Sequence, residues 1–409
     1  MNVLLVFAFL FSASCLCLAD MNIVRLDNAL ADGALCLDGS PAIYYFKAGS
    51  KTNSTKWVLH LLGGGMCRTD EECYLRSQMF LGSSLAWGDT MGYGGPISDN
   101  ATYNPDFYDW NHAFFVYCDG SCFSGDVEKP IPYKDGFLYY RGHRNFLAIM
   151  NDLIKKKGLD KATDVLVVGD SAGGMATFFH VDEIKQMLPS TVKRFKAAPF
   201  SGVFLDAQNV DGRFLFGENI ELLFKNHNCS CGVNQKCITE TQPELAYRCM
   251  FGAYTMNFIE SPLFLVGSAY DTIGISCVVG SEPSTGPTLV GAGNCSAAPG
   301  WDDCDKDPEK CTKEQWEKIE GYGNTFMKVI ENHPKFQENG NGLFECNCHS
   351  HAMECTDAWF IYTVQNTTMR DALGAWFFSD NEPSSKHFYK DCVNHESYSC
   401  NPCCSIPIP

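Results

Sequence analysis

The stretch Val165-Leu166-Val167-Val168-Gly169-Asp170-Ser171-Ala172-Gly173-Gly174 constrains the fold more than any other part of the chain. Four apolar, mostly β-branched residues have the pattern of a buried strand. They run straight into G-x-S-x-G, and Ala172 to Leu188 then has the pattern of a helix. A serine on a sharp strand-to-helix turn has its hydroxyl lifted clear of the sheet edge, and only small neighbours leave room for that turn. The helix points its N-terminal amides at the site, where they favour negative charge. G-x-S-x-G also occurs in ordinary glycine-rich turns. The strand–turn–helix placement is what makes Ser171 a candidate nucleophile.

The first nineteen residues, MNVLLVFAFLFSASCLCLA, are apolar with small residues near their end. They read as a secretory signal peptide (residues 1–19, cleavage near Ala19), although the n-region lacks a basic residue. A retained anchor is the rival reading, but the run is short for a membrane span. With no later apolar run of spanning length, a soluble mature chain without stable membrane association is expected. Of twenty-two cysteines, Cys15 and Cys17 fall in the leader, which leaves an even twenty. That usage predicts disulfides in an oxidising compartment, with a connectivity that spacing does not reveal. Sequons at Asn53, Asn100, Asn228, Asn294 and Asn366 agree with export and predict surface loops. The net charge of −17 argues against nucleic acid and anionic membranes. With a pI near 5.0, the chain would approach neutrality in a mildly acidic extracellular space and would not repel a polyanion.

Along the chain, 20–50 reads as a short helix and then a strand (Ala42 to Phe46). Lys56 to Leu62 reads as a buried strand ending in Gly63-Gly64-Gly65, with Cys67 and Cys73 fixing the loop beyond. Ser83 to Asn111 is rich in Gly, Asn, Asp, Pro and aromatics and reads as a surface excursion outside the core. Ala113 to Tyr117 is a strand, and Tyr140 to Lys157 is a helix ending at Gly158. Phe195 to Leu205 and Pro262 to Ala269 read as further strands, with a disulfide-clamped insertion (His227 to Cys249) between them. Gly280 to Asp307 is a second loop, Thr312 to Asn332 and Thr368 to Phe378 are helices, and the tail from Cys392 to Cys404 looks pinned by disulfides. Alternating strands and helices without a linker predict one α/β domain over 20–409 with a mostly parallel sheet.

A serine nucleophile needs a base, an orienting acid and an oxyanion hole. In α/β-hydrolases the acid and then the histidine follow the serine. Asp271 follows the strand Leu263-Phe264-Leu265-Val266-Gly267-Ser268 closely, near the carboxyl end where such sheets place catalytic groups. Asp206 competes with it. For the base, His333, His349, His351, His387 and His395 all lie downstream, and spacing does not choose among them. Cys346-Asn-Cys348-His349-Ser-His351 can also be read as a zinc cluster. The glycines 63–65 end an early strand, where they could present backbone N–H groups to an oxyanion together with Ala172.

These residues together resemble the pectin acetylesterase family, which includes the Notum carboxylesterases, and the plant-type members in particular. The resemblance covers nearly the whole mature chain. It is carried by Gly33-Ala34-Leu35-Cys36-Leu37-Asp38-Gly39-Ser40-Pro41, the Gly63-Gly64-Gly65 loop with Cys67, and Asn104-Pro105-Asp106-Phe107-Tyr108. Tyr117-Cys118-Asp119-Gly120, Gly125-Asp126-Val127, Arg141-Gly142, Ser171-Ala172-Gly173-Gly174, Ala269-Tyr270-Asp271, Cys348 with His351, and the cysteine-rich tail carry the rest. The resemblance implies an α/β-hydrolase fold with disulfide-rich loops, secretion, and a monomeric Ser–His–Asp esterase with no metal or cofactor. It places the triad on Ser171, Asp271 and His351 and the oxyanion donors on Gly64, Gly65 and Ala172. An acetylated polysaccharide is the implied substrate. Three positions depart from the family: Met66 replaces a large aromatic, Asp170 a Cys or Ser, and Phe200-Ser201-Gly202 an Asp-Ala/Ser-Gly. Two rivals remain, a Notum-like deacylase with a deep acyl pocket and a carbohydrate-binding relative without activity.

Overall fold

The alternation of strand and helix resolves into one ten-stranded sheet in the computed structural model. The structure describes residues 21–52, 54–283, 295–338, 340–380, 383–391 and 400–405. In chain order the strands are β1 (Met21–Arg25), β2 (Ile43–Lys47), β3 (Lys56–Leu61), β4 (Thr90–Met91) and β5 (Asn111–Phe115). They continue as β6 (Asp164–Asp170), β7 (Arg194–Phe200), β8 (Phe264–Ser268), β9 (Gly342–Cys346) and β10 (Phe388–Lys390). Across the sheet the order is β10-β9-β8-β7-β6-β3-β5-β2-β1-β4. From β5 through β10 all neighbours are parallel, and β2, β1 and β4 extend the sheet antiparallel.

The chain runs outward from β3 to β5, then returns past β3 to lay down β6 on its other side. Between β3 and β6 the direction of winding reverses, which opens a crevice at the carboxyl ends of both strands. The glycine loop leaves β3 there, and Ser171 leaves β6.

Strand β6 shows why the sheet is buried on both faces. Val165 and Val167 point into one core, while Leu166 and Val168 point into a second, as the two-residue repeat of a strand requires. The first core is closed by α1 (Gly142–Asp152), through Phe146, Ile149 and Met150, and by α2 (Ala172–Met187), through Met175, Ala176 and Phe179. The helices α3 (Leu215–Asn226) and α4 (Lys313–Glu331) add to the same side, and Thr312 caps α4 in a reciprocal box with Gln315. The second core lies under α5 (Met369–Phe378), with Leu373, Trp376 and Phe377, together with Trp359.

The stretch Ser83 to Asn111 differs from its reading as surface. Tyr103, Phe107 and Trp110 are buried in the second core, where Phe107 and Trp110 pack edge-on against Phe377. Its Gly, Pro and Asn content does break regular structure, but the aromatics between them cover sheet that α5 leaves open. Four strands of the sheet have no reading in the sequence: β1, β4, β9 and β10. The helix from Tyr140 is α1 followed by a π turn, Leu153–Lys157, that closes on the left-handed Gly158.

Among the described residues, six disulfides join Cys36–Cys118, Cys67–Cys73, Cys237–Cys249, Cys277–Cys295, Cys304–Cys311 and Cys348–Cys404. They clamp the loop after β3, the insertion after α3, and the tail. Cys122, Cys229, Cys231, Cys346, Cys355 and Cys403 are thiols. The leader, Asn53 and Asn294 lie outside the described residues. Asn228 and Asn366 are exposed on left-handed turns, whereas Asn100 is partly buried and its side-chain oxygen accepts the Thr102 and Tyr103 amides. Among the described residues, no helix is long and apolar enough to cross a membrane.

Candidate active site

Strand β6 delivers Ser171 at φ 54°, ψ −118°, a conformation that side-chain-bearing residues rarely adopt. Neighbouring glycines make it possible. A Cβ on Gly169 would lie 2.3 Å from the Gly173 carbonyl oxygen, and one on Gly173 would lie 1.9 Å from that of Leu61. The start of α2 therefore sits directly on β3 and β7. Ser171 donates its amide to Phe200 and accepts from the Met175 amide, while its hydroxyl does not cap the helix.

The glycine loop is held from outside. Gly64 (φ 129°) and Gly65 (φ 66°) adopt backbone that favours glycine. Arg76 donates to the Gly64 carbonyl at 2.9 Å and Tyr117 to the Gly65 carbonyl at 2.7 Å. Because a trans peptide opposes its C=O and N–H, fixing the Gly64 carbonyl turns the Gly65 N–H to the side away from Arg76. Arg76 is itself buried, bonded to the Leu81 carbonyl and stacked over Tyr117. No local pattern in the sequence marks Arg76, and Tyr117 enters the family resemblance only within Tyr117-Cys118-Asp119-Gly120, with no role implied for it.

Asp271 and His351 meet on the far side. Asp271 Oδ1 accepts the Ile273 and Gly274 amides, and Oδ2 lies 2.7 Å from His351 Nδ1. His351 follows β9, the strand beside β8, so the two loops are neighbours. The loop is tied down at several points: the Ser268 hydroxyl bonds the Cys348 carbonyl, Cys348 is bridged to Cys404, and the Ala352 amide donates to Ser201 Oγ at 3.1 Å. In the sequence Ser201 figures only within the departure Phe200-Ser201-Gly202, with no role given to its hydroxyl; it directly follows the strand next to the elbow. With Nδ1 given to Asp271, a neutral His351 presents a bare lone pair at Nε2, and that atom is buried with no hydrogen-bond partner. Burial alone would lower the pKa of His351. The Asp271 charge and hydrogen bond, helped by the charge of Asp170, outweigh it and raise it above the ordinary value.

Asp271 and His351 are thus joined directly, and Ser171 is not hydrogen-bonded to His351 Nε2. The serine and the histidine loop instead share a strand: Ser171 holds the Phe200 carbonyl, and Ala352 holds the Ser201 hydroxyl. The competing residues are elsewhere. Asp206 lies against Gly217 of α3, His333 accepts the Lys335 amide, and His387 sits beside Gly342, at the opposite end of β9. His349 is held below its ordinary pKa by burial, and His395 lies outside the described residues. The zinc reading of 346–351 loses a ligand, since Cys348 is in a disulfide. Of the three departures, Phe200 packs on Trp359 and Asp170 contacts the glycine loop. Met66 lines a cleft of about 770 Å³ that includes Arg68, Arg213, Leu215, Phe216 and Ile220.

A serine elbow, a glycine loop and a carboxylate-bound imidazole along one edge of a parallel sheet place the molecule among the α/β-hydrolases. Comparison with known proteins narrows the class. The chain belongs to the pectinacetylesterase family, whose model matches residues 17–405. It is 32% identical to pectin acetylesterase 11 of Arabidopsis thaliana, over 93% of this chain and 92% of that one. It is 25% identical to palmitoleoyl-protein carboxylesterase notum2 of Xenopus laevis, over 94% and 74%. The crystal structure of the Wnt deacylase Notum from Drosophila shares the fold, with a TM-score of 0.74 and 21% identity over 95% of this chain and all of that one. Family and relatives make the chain a carboxylic ester hydrolase.

Proposed function

We propose that the protein is a secreted serine carboxylesterase that removes O-acetyl groups from a cell-wall-type polysaccharide such as pectin. The observation that carries this reading is the Asp271–His351 pair with Nε2 left bare. His351 takes the proton of Ser171 as its oxygen bonds the acetyl carbonyl carbon. The oxyanion is received by the N–H groups of Gly64, Gly65 and Ala172, each worth roughly 3–4 kcal/mol to the transition state. The tetrahedral intermediate expels the sugar oxygen, which takes the proton from Nε2. Water, deprotonated by the same nitrogen, then cleaves the acetyl-serine to acetate. Disulfides and the exposed sequons Asn228 and Asn366 support an exported protein.

Replacing Ser171 by Ala should abolish acetate release from acetylated pectin, and a fluorophosphonate should label wild type once per chain and the variant not at all. Wild-type turnover by a folded S171A protein would refute the nucleophile. A folded, unlabelled and inactive wild type would favour the carbohydrate-binding reading.

The cleft gives a second reading its support. Leu215, Phe216, Ile220, Leu222 and Leu223 of α3 give it an apolar wall that acetate does not require; Met66, beside Gly65, links it to the glycine loop, and none of Ser171, Asp271 and His351 lines it. A Notum-like deacylase would show rates on p-nitrophenyl esters rising steeply from C2 to C8, whereas the acetylesterase reading expects C2 to lead.

A further inference from the structure

Asp170 directly precedes the elbow serine, and its carboxylate does two things that the triad does not explain. Its Oδ1 accepts the Gly63 N–H at 3.2 Å and lies 3.0 Å from His60 Nε2. Gly63 directly precedes Gly64, so one direct hydrogen bond links the residue before the nucleophile to the residue before the oxyanion donors. The fit is tight. A Cβ on Gly63 would stand 2.2 Å from the Asp170 carbonyl oxygen and 2.5 Å from its Oδ2. His60 anchors the contact from β3, fully buried, with its ring stacked on Phe114 and edge-on to Tyr93.

The carboxylate also sits in a pocket of buried titratable groups drawn from several elements. His60 faces it from β3, Tyr93 from the loop after β4, and Glu354, Cys355 and His351 from the segment after β9. Its charge acts in the same direction on four of them. Burial first, and then this charge, pushes Tyr93 and Glu354 up, and Cys355 is raised by burial, Glu354 and Asp170 together. On His351 the Asp170 charge adds to the larger effect of Asp271 against burial. Glu354 is wholly buried, neither of its carboxyl oxygens has a partner, and burial holds its pKa well above the ordinary value.

We infer that Asp170 is a positioning residue, whose carboxylate locks the glycine loop to the nucleophile's strand. The inference rests on the Ser171–His351–Asp271 reading. A neutral side chain that keeps the acceptor oxygen would preserve the lock, and one without an acceptor would lose it.

The test is kcat and KM against pH on p-nitrophenyl acetate for wild type, Asp170→Asn and Asp170→Ala, with S171A as the blank. Asp170→Asn keeps an oxygen for Gly63, so its kcat at the plateau should stay within about threefold of wild type. Asp170→Ala loses the acceptor, and its kcat at the plateau should fall about tenfold or further with KM within about twofold. Should that variant fail to fold, Asp170→Ser supplies the same comparison with a shorter side chain. Equal loss of kcat in Asn and Ala would overturn the inference, because the acceptor oxygen would then not be what matters. So would a folded Asp170→Ala variant with the wild-type kcat. Wild type no faster than S171A would instead overturn the parent reading and is distinguishable from both.

Discussion

His351 Nε2 is a buried nitrogen with no partner, and leaving such a group unsatisfied costs roughly 1–3 kcal/mol. In the proposed mechanism this lone pair takes the serine proton. The base must be neutral to accept a proton, and the Asp271 contact raises its pKa. Activity should therefore be lost as pH falls through a value above the ordinary imidazole range, and be retained on the alkaline side. The pH profile of kcat/KM checks the direction. Asp271→Asn should lower kcat by roughly four orders of magnitude, since the ring loses both its orientation and the charge opposite the imidazolium. A loss under tenfold would show that some other group orients His351.

At the level of elements, the site depends on how β9 and its following turn are held. Cys348–Cys404 closes a loop with a sequence separation of 56, worth about 4 kcal/mol on chain-entropy grounds. Cys404→Ser should lower the melting temperature and also weaken turnover, because the bridge lies three residues from His351; unchanged kcat at a temperature where the variant stays folded would argue that Ser268 and Ser201 suffice. The same element shows where sequence reading stops. Val165 to Gly174 was legible because a two-residue apolar repeat gives way to small residues and then to helical spacing. Helix α4 was legible through Thr312, which caps it. Strand β9, Gly-Leu-Phe-Glu-Cys, was not: it has only two large apolar residues, a glutamate in its interior and cysteines around it. Yet β9 is what brings His351 to Asp271 across 80 residues of chain. Spacing alone left five histidines open, and the resemblance to a family, not any local pattern, pointed to His351. The role of Arg76 and Tyr117 was not legible, since it follows from which carbonyls the loop turns toward them.

On the scale of the whole molecule, that glutamate links stability to pH. Glu345 is buried in β9, and burial first, then the charge of Asp391, pushes its pKa up to about 8 against the opposing hydrogen bonds from backbone. A carboxyl whose folded pKa is raised favours the native state while protonated. This contribution is complete below the unfolded value near 4.5, declines as pH rises, and is spent above about 8. Glu345→Gln should flatten that dependence, raising the melting temperature by a few degrees at pH 8 and leaving it nearly unchanged at pH 4. Equal shifts at both pH values would show that the side chain acts through packing instead. Together with the acid limit set at His351, this predicts a working window bounded by catalysis on one side and by folding on the other.

The margins of the sheet carry one more consequence. Among the described residues it begins with the two-residue β4 and ends with the three-residue β10. Margins this brief present few unclaimed amides to another polypeptide. Main-chain zippering of one copy onto the next is disfavoured at either end, so self-association would have to rely on complementary side chains.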